Sequence, residues 1–357
     1  MFATTTSGDR LLLLWLIIGC GPQPESPAVD TPEAYLSAQG TAFGTTWNVT
    51  WKGDPASADE VSTMIAQRLA TVDAQMSTWR EDSELSVARR ATGPVTVSPA
   101  TAEVVSAALA LSAQTGGAFD PTVQPLMELW GFHGKARDDM PADQEIEAVR
   151  AQVGWGRVRV TEGVDGSPRV DVGGTALDLS AIAKGHAVDR VSEGLSEMHL
   201  ADHLVEIGGE VRALGDGRQG DGWRLGIETP QVGSVPGSAL HAVVRLREGA
   251  LATSGNYRNR YVVDGHELGH TMDPRTGRPA ISQTLSASVV APRCRTADGL
   301  ATALMVMDPK EGLALVASVP GVEALILSSS EGTLVETTTP GMEALLVRQA
   351  SPEQVKR

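Results

Sequence analysis

Hydrophobic and polar residues alternate with a period of two over residues 39–51, which is the pattern of a strand with one buried face. The predicted buried face carries Phe43, Thr45, Trp47, Val49 and Trp51. Apolar residues then recur at helical spacing and predict an amphipathic helix, whose core-facing stripe consists of Val61, Ile65, Leu69, Val72 and Met76.

Start and stop signals predict the elements that follow. A second helix is predicted between Ser98, as its cap, and the glycine pair 116–117. Strands are predicted near residues 158–160, 170–172, 177–179, 204–207, 223–227, 242–246, 261–263 and 286–290. Helices are predicted at about 180–198, 296–307 and 309–318, ahead of a final strand pair. Because helices do not follow every strand, the sequence predicts an α+β fold with mixed sheets and flanking helices.

The first residues read as a targeting segment. An apolar run at residues 11–18 follows Arg10, ends at Gly19 and Cys20, and is too short to cross a bilayer as a helix. A small residue before cysteine at the end of such a run is typical of a bacterial lipoprotein signal. We therefore predict a signal peptide at residues 1–19 and a lipid anchor on Cys20, at the periplasmic face of a bacterial membrane. An ordinary signal peptide with an incidental cysteine is the alternative.

Composition predicts the domain limits and argues against some classes of binding partner. Residues 21–32 hold four prolines, so residues 20–38 are predicted to be a flexible tether, 39–340 a folded domain and 341–357 a C-terminal tail. The net charge of −15 argues against nucleic acid or anionic lipid as the main partner. The chain has two cysteines; with Cys20 acylated, Cys294 has no partner for a disulfide. Cys294 is then either a buried filler thiol or, less in keeping with its setting, a nucleophile.

The densest chemistry lies at residues 266–279, which hold two histidines, two carboxylates and two arginines. His266, Glu267 and His270 fit the spacing of zinc proteases, which need both histidines on one helix. The flanks instead predict a hairpin that turns at Asp264 and Gly265 and returns as a strand to Asp273. At roughly 3.3 Å per strand residue the two histidines are about 13 Å apart, too far for one zinc ion.

Two further patterns indicate phosphate or metal chemistry. Residues 178–185 (Asp-Leu-Ser-Ala-Ile-Ala-Lys-Gly) stand at a predicted helix start, where amides and Lys184 favour an anion; a capped helix with Lys184 in solvent is the alternative. Asp298 and Thr302 are four apart in a predicted helix and share a face. Their oxygens suit Mg²⁺, and the alternative is a helix cap with Thr302 in the core.

Taken in order along the chain, the motifs resemble those of the ApbE family, the FAD:protein FMN transferases. The matching blocks are 76–79 (Met-Ser-Thr-Trp), 82–86, 117–126 (Gly-Ala-Phe-Asp-Pro-Thr-Val-Gln-Pro-Leu), 129–132, 178–185, 205–210 (Val-Glu-Ile-Gly-Gly-Glu), 252–255 with 257–258, 270–277 (His-Thr-Met-Asp-Pro-Arg-Thr-Gly) and 297–304 (Ala-Asp-Gly-Leu-Ala-Thr-Ala-Leu). The chain departs from the family pattern at Phe43, Gln124 and His186.

The resemblance implies a T-fold-like α+β architecture and a group transfer. The FMN part of FAD would move to a Ser or Thr hydroxyl of an acceptor protein, such as a subunit of a redox-driven ion pump, and AMP would leave. Mg²⁺ would be held by Asp298, Thr302 and the main-chain oxygen of Ala181. No nucleic acid takes part, and the membrane is contacted only through the lipid anchor. The implied FAD contacts are Phe43, Ser77, Thr78, Trp79, Ala118, Phe119, Asp120, Asp178, Lys184 and Met272.

His270 and Asp273 are the candidate bases that the resemblance implies. A histidine suits proton removal near neutral pH, so His270 is favoured over Asp273. Residues three apart on a strand face opposite sides, so both reach one site only if the chain turns near Pro274. Three functions stay open: a flavin transferase, an FAD pyrophosphatase that uses water as acceptor, and a flavin-binding lipoprotein without activity.

Overall fold

An antiparallel sheet with helices against one face forms the centre of the fold. The structure is a computed structural model that describes residues 34–134, 137–231, 239–256, 260–264, 266–330 and 332–347, with the backbone alone for 260–263, 266 and 267. The α+β class predicted from the sequence is confirmed. Cys20 and the predicted signal peptide, and Tyr257 and Arg258, lie outside the described residues.

The helices in the described part of the chain are α1 (Ala58–Met76), α2 (Glu84–Arg90), α3 (Pro99–Gln114), α4 (Gln124–Leu129), α5 (Asp143–Arg150), α6 (Ser180–Glu197), α7 (Cys294–Val306), α8 (Pro309–Ala317) and α9 (Pro340–Leu345). Five of them correspond to predicted helices (α1, α3, α6, α7 and α8), and α2, α4, α5 and α9 were not predicted. All five predicted stripe residues of α1 are buried, and the Ser98 side chain caps α3 by accepting from the Thr101 N–H. Within the described part of the chain, no helix is long and apolar enough to cross a bilayer.

The strands pair in antiparallel fashion wherever the structure describes a pair. They are β1 (Ala34–Ala42), β2 (Thr45–Gly53), β3 (Val95–Thr96), β4 (Arg159–Glu162), β5 (Pro168–Asp171), β6 (His203–Ile207), β7 (Glu210–Leu214), β8 (Trp223–Glu228), β9 (Leu240–Leu246), β10 (Glu248–Gly255), β11 (Arg260–Val263), β12 (His266–Gly269), β13 (Met272–Asp273), β14 (Arg278–Pro279), β15 (Thr284–Ala291), β16 (Glu323–Ser330) and β17 (Thr333–Thr338). Eight of them form the main sheet in the order β1-β2-β6-β7-β10-β15-β16-β17.

The two faces of the main sheet are covered differently. On one face, strand residues such as Val205 and Ala250 join the large core formed with α1, α3, α6 and α7. On the other face, residues such as Leu251 and Leu325 pack against Trp223 and Leu225 of the β8–β9 hairpin. Helices and hairpin are therefore separated by one sheet, and only a path around its edge or strand ends connects the two sides.

The single strand predicted over residues 39–51 is wrong. The structure has two strands, and Ala42 pairs with Thr45 across a two-residue turn. Phe43 and Gly44 both have positive φ, at 52° and 73°, as a tight hairpin turn requires. Residues of both strands beside the turn alternate between exposed and half-buried positions. The hydrophobic pattern therefore continues through the turn, and it gives no sign that one strand ends and another begins there. Phe43 thus lies in a turn.

Two other predicted strands differ from the structure. Residues 177–179 form no strand pair; Leu177 and Leu179 are buried directly before α6, so core burial imitated a strand pattern. The returning strand of the 264–265 hairpin ends at Gly269, four residues before the predicted end. Its register places His266 opposite Val263. His266 and Glu267 are therefore on a strand, and the helix that a zinc protease needs is absent at this place.

The domain ends differ slightly from the predicted limits. β1 starts at Ala34, inside the stretch assigned to the tether. At the other end, α9 falls in the predicted tail, and its Met342 is fully buried under the β8–β9 hairpin.

Candidate functional site

A cavity of about 640 Å³ lies where α6 and α7 meet the ends of β7 and β10. It brings together ten of the residues predicted for the site from distant parts of the sequence. They are Ala118, Phe119, Asp120, Asp178, Ala181, Lys184, His270, Met272, Asp298 and Thr302. Phe43, Ser77, Thr78, Trp79 and Asp273 are not part of its wall.

Two sets of hydrogen bonds hold α6 against α7 next to the cavity. The N–H of Gly185 donates to Oδ2 of Asp298 at 2.9 Å. A Cβ added at Gly185 would lie 2.5 Å from the backbone oxygen of Cys294, so the helices can approach this closely only because residue 185 is glycine. The Asp189 carboxylate accepts from the N–H groups of Cys294 and Arg295, at 2.9 and 3.1 Å, and so fixes the start of α7.

The Asp298 carboxylate is buried, with 3% of the residue exposed. Burial raises its pKa, and the charge of Lys184 and the hydrogen bond from Gly185 oppose that rise. Thr302 lies one turn further along α7, and its Oγ1 is 3.4 Å from Oγ of Ser254. The predicted i, i+4 face of Asp298 and Thr302 is therefore present and is turned toward the cavity.

The groups that could bind a metal ion in the part of the cavity wall near Asp298 are oxygen atoms. Among the described residues there is no cluster of three or more His, Cys, Asp or Glu side chains that could hold a metal. Asp298, Thr302 and the main chain of Ala181 instead offer one carboxylate and neutral oxygens. This set fits Mg²⁺, which accepts few protein ligands and keeps waters or substrate phosphates. A divalent cation here would also offset the charge of the buried Asp298.

Lys184 and Glu210 form an ion pair on the cavity wall, with 2.6 Å between Nζ and Oε1. Burial raises the pKa of Glu210 to about 7, the nearby Asp298 charge adds to this, and Lys184 opposes it. Burial lowers the pKa of Lys184, but the charges of Glu210 and Asp298 outweigh it and leave that pKa above its ordinary value. Lys184 is therefore a fixed cation beside the metal donors, and the solvent-exposed alternative is wrong.

Asp178 stabilises the turn that leads into α6. Its Oδ1 accepts from the N–H and the hydroxyl of Ser180, at 2.8 and 2.5 Å. Its Oδ2 lies 3.6 Å from Nδ1 of His133, which also lines the cavity. Neither interpretation of residues 178–185 is therefore met in full: the N-cap position of α6, Leu179, has no side-chain cap, and Lys184 is paired with Glu210.

The loop before α4, with Ala118, Phe119 and Asp120, forms another part of the cavity wall. Oδ1 of Asp120 accepts from the N–H and hydroxyl of Thr122, at 2.8 and 2.6 Å, and Oδ2 accepts from the N–H of Trp155 at 3.2 Å. These bonds hold the loop in a shape that presents Ala118 and Phe119 to the cavity. Asp120 therefore shapes the wall through backbone contacts. Burial raises the pKa of its carboxyl, and the same hydrogen bonds oppose that rise.

His270 and Asp273 are placed differently. His270 follows the end of β12 and lines the cavity. Asp273 ends β13 directly before a turn, and its two carboxylate oxygens accept from the Arg275 guanidinium at 2.9 and 3.0 Å. Arg275 thus braces this turn. The chain does turn after Asp273, since the N–H groups of Thr276 and Gly277 both donate to its carbonyl, but Asp273 itself does not line the cavity.

Of the other predicted contacts, Phe43, Ser77 and Trp79 are not part of the cavity wall, whereas Met272 is. Oγ of Ser77 accepts from the N–H groups of Trp79 and Arg80, at 3.2 and 3.3 Å, and so stabilises the turn after α1. The Trp79 side chain is 81% exposed, and its ring centroid is 6.3 Å from that of His133. Phe43 packs on the large core. Met272 lines the cavity and packs in one cluster with Trp130.

Sequence reasoning missed the roles of Glu210, Ser254 and His133. Glu210 was noted only as the last residue of the 205–210 block; the signal that could have identified it is a carboxylate at the first position of a strand, directly after a Gly-Gly turn. Cys294 is a buried thiol whose pKa is raised by burial, so the filler interpretation is confirmed.

Comparisons with known proteins agree on one family. The model of the ApbE family matches residues 43–326. A protein of Vibrio cholerae named FAD:protein FMN transferase is 41% identical over 310 residues, covering 85% of this chain and 88% of the relative. A protein of the same name from Salmonella typhimurium is 34% identical over 312 residues, with coverage of 86% and 87%.

Solved structures give the same result. The flavin transferase ApbE from Vibrio cholerae superimposes with a TM-score of 0.78 at 36% identity, covering 88% of this chain and all (100%) of that one. The apo form of the flavinyl transferase ApbE from Pseudomonas stutzeri gives 0.77 at 31% identity, with coverage of 89% and 98%.

Proposed function

The chain belongs to the ApbE family, and we propose that it transfers the FMN part of FAD to a Ser or Thr hydroxyl of an acceptor protein and releases AMP. One observation carries the proposal. A single cavity holds the oxygen donors Asp298 and Thr302, the fixed cation Lys184 and the imidazole of His270. These are the groups that a phosphoryl transfer with a protein hydroxyl as nucleophile requires.

The proposed transfer forms one bond to the FMN phosphorus and breaks another. The acceptor oxygen forms a bond to the FMN phosphorus, and the bond from that phosphorus to the AMP oxygen breaks. The hydroxyl proton passes to His270, and AMP leaves with the electron pair of the broken bond. Bound Mg²⁺ would supply positive charge to the diphosphate. Lys184 supplies a second positive charge at a position fixed by Glu210, and the buried Ala118 and Phe119 give the cavity an apolar part of its wall.

Three groups of this chain would hold the magnesium ion. Asp298 would give its carboxylate, Thr302 its hydroxyl and Ala181 its main-chain oxygen. Support for this comes from the position of all three in the wall of one cavity and from the hydrogen bond between Gly185 and Asp298, which holds α6 beside α7. Asp298→Ala should abolish turnover and leave the fold intact.

We further propose that the protein is anchored through Cys20 at the periplasmic face of the membrane and meets acceptors there, redox-driven ion pump subunits among them. The basis is the apolar run before Gly19 and Cys20 in the sequence. Mass spectrometry of the protein purified from membranes tests this. A diacylglycerol on Cys20 is expected, whereas an unmodified or longer N-terminus would contradict the anchor.

One assay separates the transferase from its alternatives. Residues 21–357 are incubated with FAD, Mg²⁺ and an acceptor that carries a Ser/Thr-Gly-Ala-Thr-like segment, and the denatured acceptor is inspected for flavin fluorescence. Labelled acceptor is the expected result. FMN and AMP without labelled acceptor would indicate a pyrophosphatase, and intact bound FAD would indicate a carrier protein.

A further inference from the structure

The hydroxyl of Thr302 is bonded away from its own helix. Ser and Thr side chains inside a helix commonly donate to the carbonyl oxygen four residues back. Four side chains of this protein do so, each at 2.8 Å: Ser62, Thr63, Thr71 and Ser112. The partner that the structure describes for Oγ1 of Thr302 is instead Oγ of Ser254, at 3.4 Å. Both residues line the cavity, so the Thr302 hydroxyl lies at the cavity wall.

Ser254 faces α7 because of its position on β10. Alternate residues of a strand point to the same face, so Ser254 shares its face with Ala250 and Ala252. These two alanines are buried in the large core that α7 joins. Their small side chains let α7 lie close to β10, and the half-buried Ser254, next to the end of the strand, reaches Thr302. Sheet and helix packing therefore set the contact between the two hydroxyls.

We propose that Ser254 is a positioning residue for the magnesium ion: it accepts the proton of the Thr302 hydroxyl and so directs the lone pairs of Thr302 Oγ1 to the ion. The proposal rests on the metal site of the proposed function. A hydroxyl has one proton and two lone pairs. With its proton bound to Ser254, the hydroxyl keeps its lone pairs for the ion and is not turned back to the carbonyl of Asp298, four residues earlier. Hydrogen bonds of this kind commonly orient metal ligands.

The direction of this hydrogen bond follows from the charge of the ion. Either hydroxyl could donate in the contact between Ser254 and Thr302. A cation on Oγ1 of Thr302 occupies one of its lone pairs and makes its proton more acidic, so Thr302 donates and Ser254 accepts. A separation of 3.4 Å is at the long end for two hydroxyls, and such contacts at active sites often shorten when the ligand is bound.

Titration calorimetry with Mn²⁺, without FAD or acceptor, tests this role independently of turnover. Ser254→Ala should weaken Mn²⁺ binding by about ten-fold, because the Thr302 hydroxyl can then turn back to its own helix. Ser288→Ala is the matched control. It removes a hydroxyl that is bonded at 2.8 Å to Thr253, the neighbour of Ser254, on the other face of the sheet. The control should bind Mn²⁺ as the parent does, and an equal loss in both variants would contradict the proposal.

A double-mutant cycle distinguishes positioning from direct binding of the ion. Thr302→Val keeps the branched shape of the side chain, removes its hydroxyl, and leaves Asp298 and the main-chain oxygen of Ala181 to hold Mn²⁺. If Ser254 acts through Thr302, Ser254→Ala should cause no further loss of Mn²⁺ affinity in the Thr302→Val background. A further loss of about ten-fold in that background would show that Ser254 binds the ion itself and would overturn the proposal.

Acceptor labelling at varied Mg²⁺ gives a second readout. Ser254→Ala should raise the KM for Mg²⁺ by about ten-fold and leave kcat at saturating Mg²⁺ close to that of the parent. A loss of kcat that saturating Mg²⁺ does not restore would contradict a role confined to positioning.

The Asp298→Ala variant separates failure of the proposal from failure of the proposed function. Mn²⁺ binding by Asp298→Ala as tight as that of the parent would refute the metal site itself. Loss of binding in Asp298→Ala together with unchanged binding in Ser254→Ala would refute the positioning role alone.

Discussion

The backbone N–H of Gly185 donates a hydrogen bond of 2.9 Å to the Asp298 carboxylate and thereby joins the two helices that carry the proposed magnesium ligands. Ala181 lies in the first turn of α6, and Asp298 and Thr302 lie on α7. The distance between these donors is set by how closely the two helices pack. The geometry of the metal site therefore depends on a residue without a side chain.

Replacing Gly185 should disturb the metal site before it disturbs the rest of the fold. Gly185→Ala places a Cβ against the rigid backbone of Cys294, and overpacking of this kind costs about 1–3 kcal/mol. We expect a lower midpoint of thermal unfolding and weaker Mn²⁺ binding by titration calorimetry. Gly93→Ala is the matched control, since a Cβ there meets nothing within 4 Å. Unchanged Mn²⁺ binding in Gly185→Ala would contradict the role of helix spacing.

Asp298→Asn separates the charge of Asp298 from its hydrogen bond. The amide oxygen can still accept from Gly185, so the fold should be at least as stable as before, because a buried charge has been removed. Mg²⁺ binding and acceptor labelling should both fall, labelling by about 100-fold or more. Labelling at the normal rate would show that Asp298 is not a metal ligand.

Lys184→Met should impair FAD binding and leave Glu210 buried without its cation. Loss of one partner of a buried ion pair is costly, by about 3–5 kcal/mol when fully buried and less at this partly open wall. Adding Glu210→Gln should restore much of the stability, since no uncompensated charge is left, but not FAD affinity. Recovery of FAD affinity in the double variant would indicate that Lys184 does not contact the diphosphate.

His186 should make stability sensitive to acid. It is 2% exposed, and burial, together with the charges of Arg295 and Arg190, lowers its pKa to about 4. The unfolded chain then takes up a proton near pH 6.5 that the folded chain refuses until about pH 4. Stability is thus full above about pH 6.5 and falls, by up to about 3 kcal/mol, as the pH is lowered to about 4.

Denaturant titrations of His186→Phe at several pH values check this. The variant should lose less stability than the parent between pH 6.5 and 4, with some slope left because burial also lowers the pKa of His203. The exposed His199→Gln variant is the control and should keep the parent slope. A slope in His186→Phe equal to that of the parent would contradict the assignment.

The two candidate bases should differ in their effects. His270→Asn should lower kcat for acceptor labelling by about 10²–10⁴, because it removes the imidazole at the cavity wall. Asp273→Asn should loosen the turn held by Arg275 and lower stability, with a smaller change in kcat. A larger loss of kcat in Asp273→Asn than in His270→Asn would reverse the assignment.

Sequence signals within one segment, such as hydrophobic spacing and capping residues, predict those elements that the same segment determines. The stripe of α1 and the Ser98 cap of α3 follow from spacing and capping chemistry within one segment. The turn at Phe43 and the unpaired run at residues 177–179 were mistaken for strands, because burial pattern alone does not reveal whether a strand partner exists.

The same distinction, between features set by one segment and features set by tertiary packing, applies to the candidate site. The shared face of Asp298 and Thr302 follows from helix geometry and could be predicted. The pair of Lys184 and Glu210 could not, because it depends on how β7 packs beside α6, which no nearby residue encodes. The same holds for the contact between Ser254 and Thr302, because it joins a strand residue to a helix residue 48 positions further along the chain.

Anomalous diffraction from crystals grown with FAD and Mn²⁺ tests the central claim most directly. We expect a manganese peak about 2.0–2.6 Å from oxygens of Asp298, Thr302 and Ala181, with the FAD diphosphate bound to the same ion and beside Lys184. A manganese peak on other residues, or a diphosphate far from the start of α7, would contradict the proposed site.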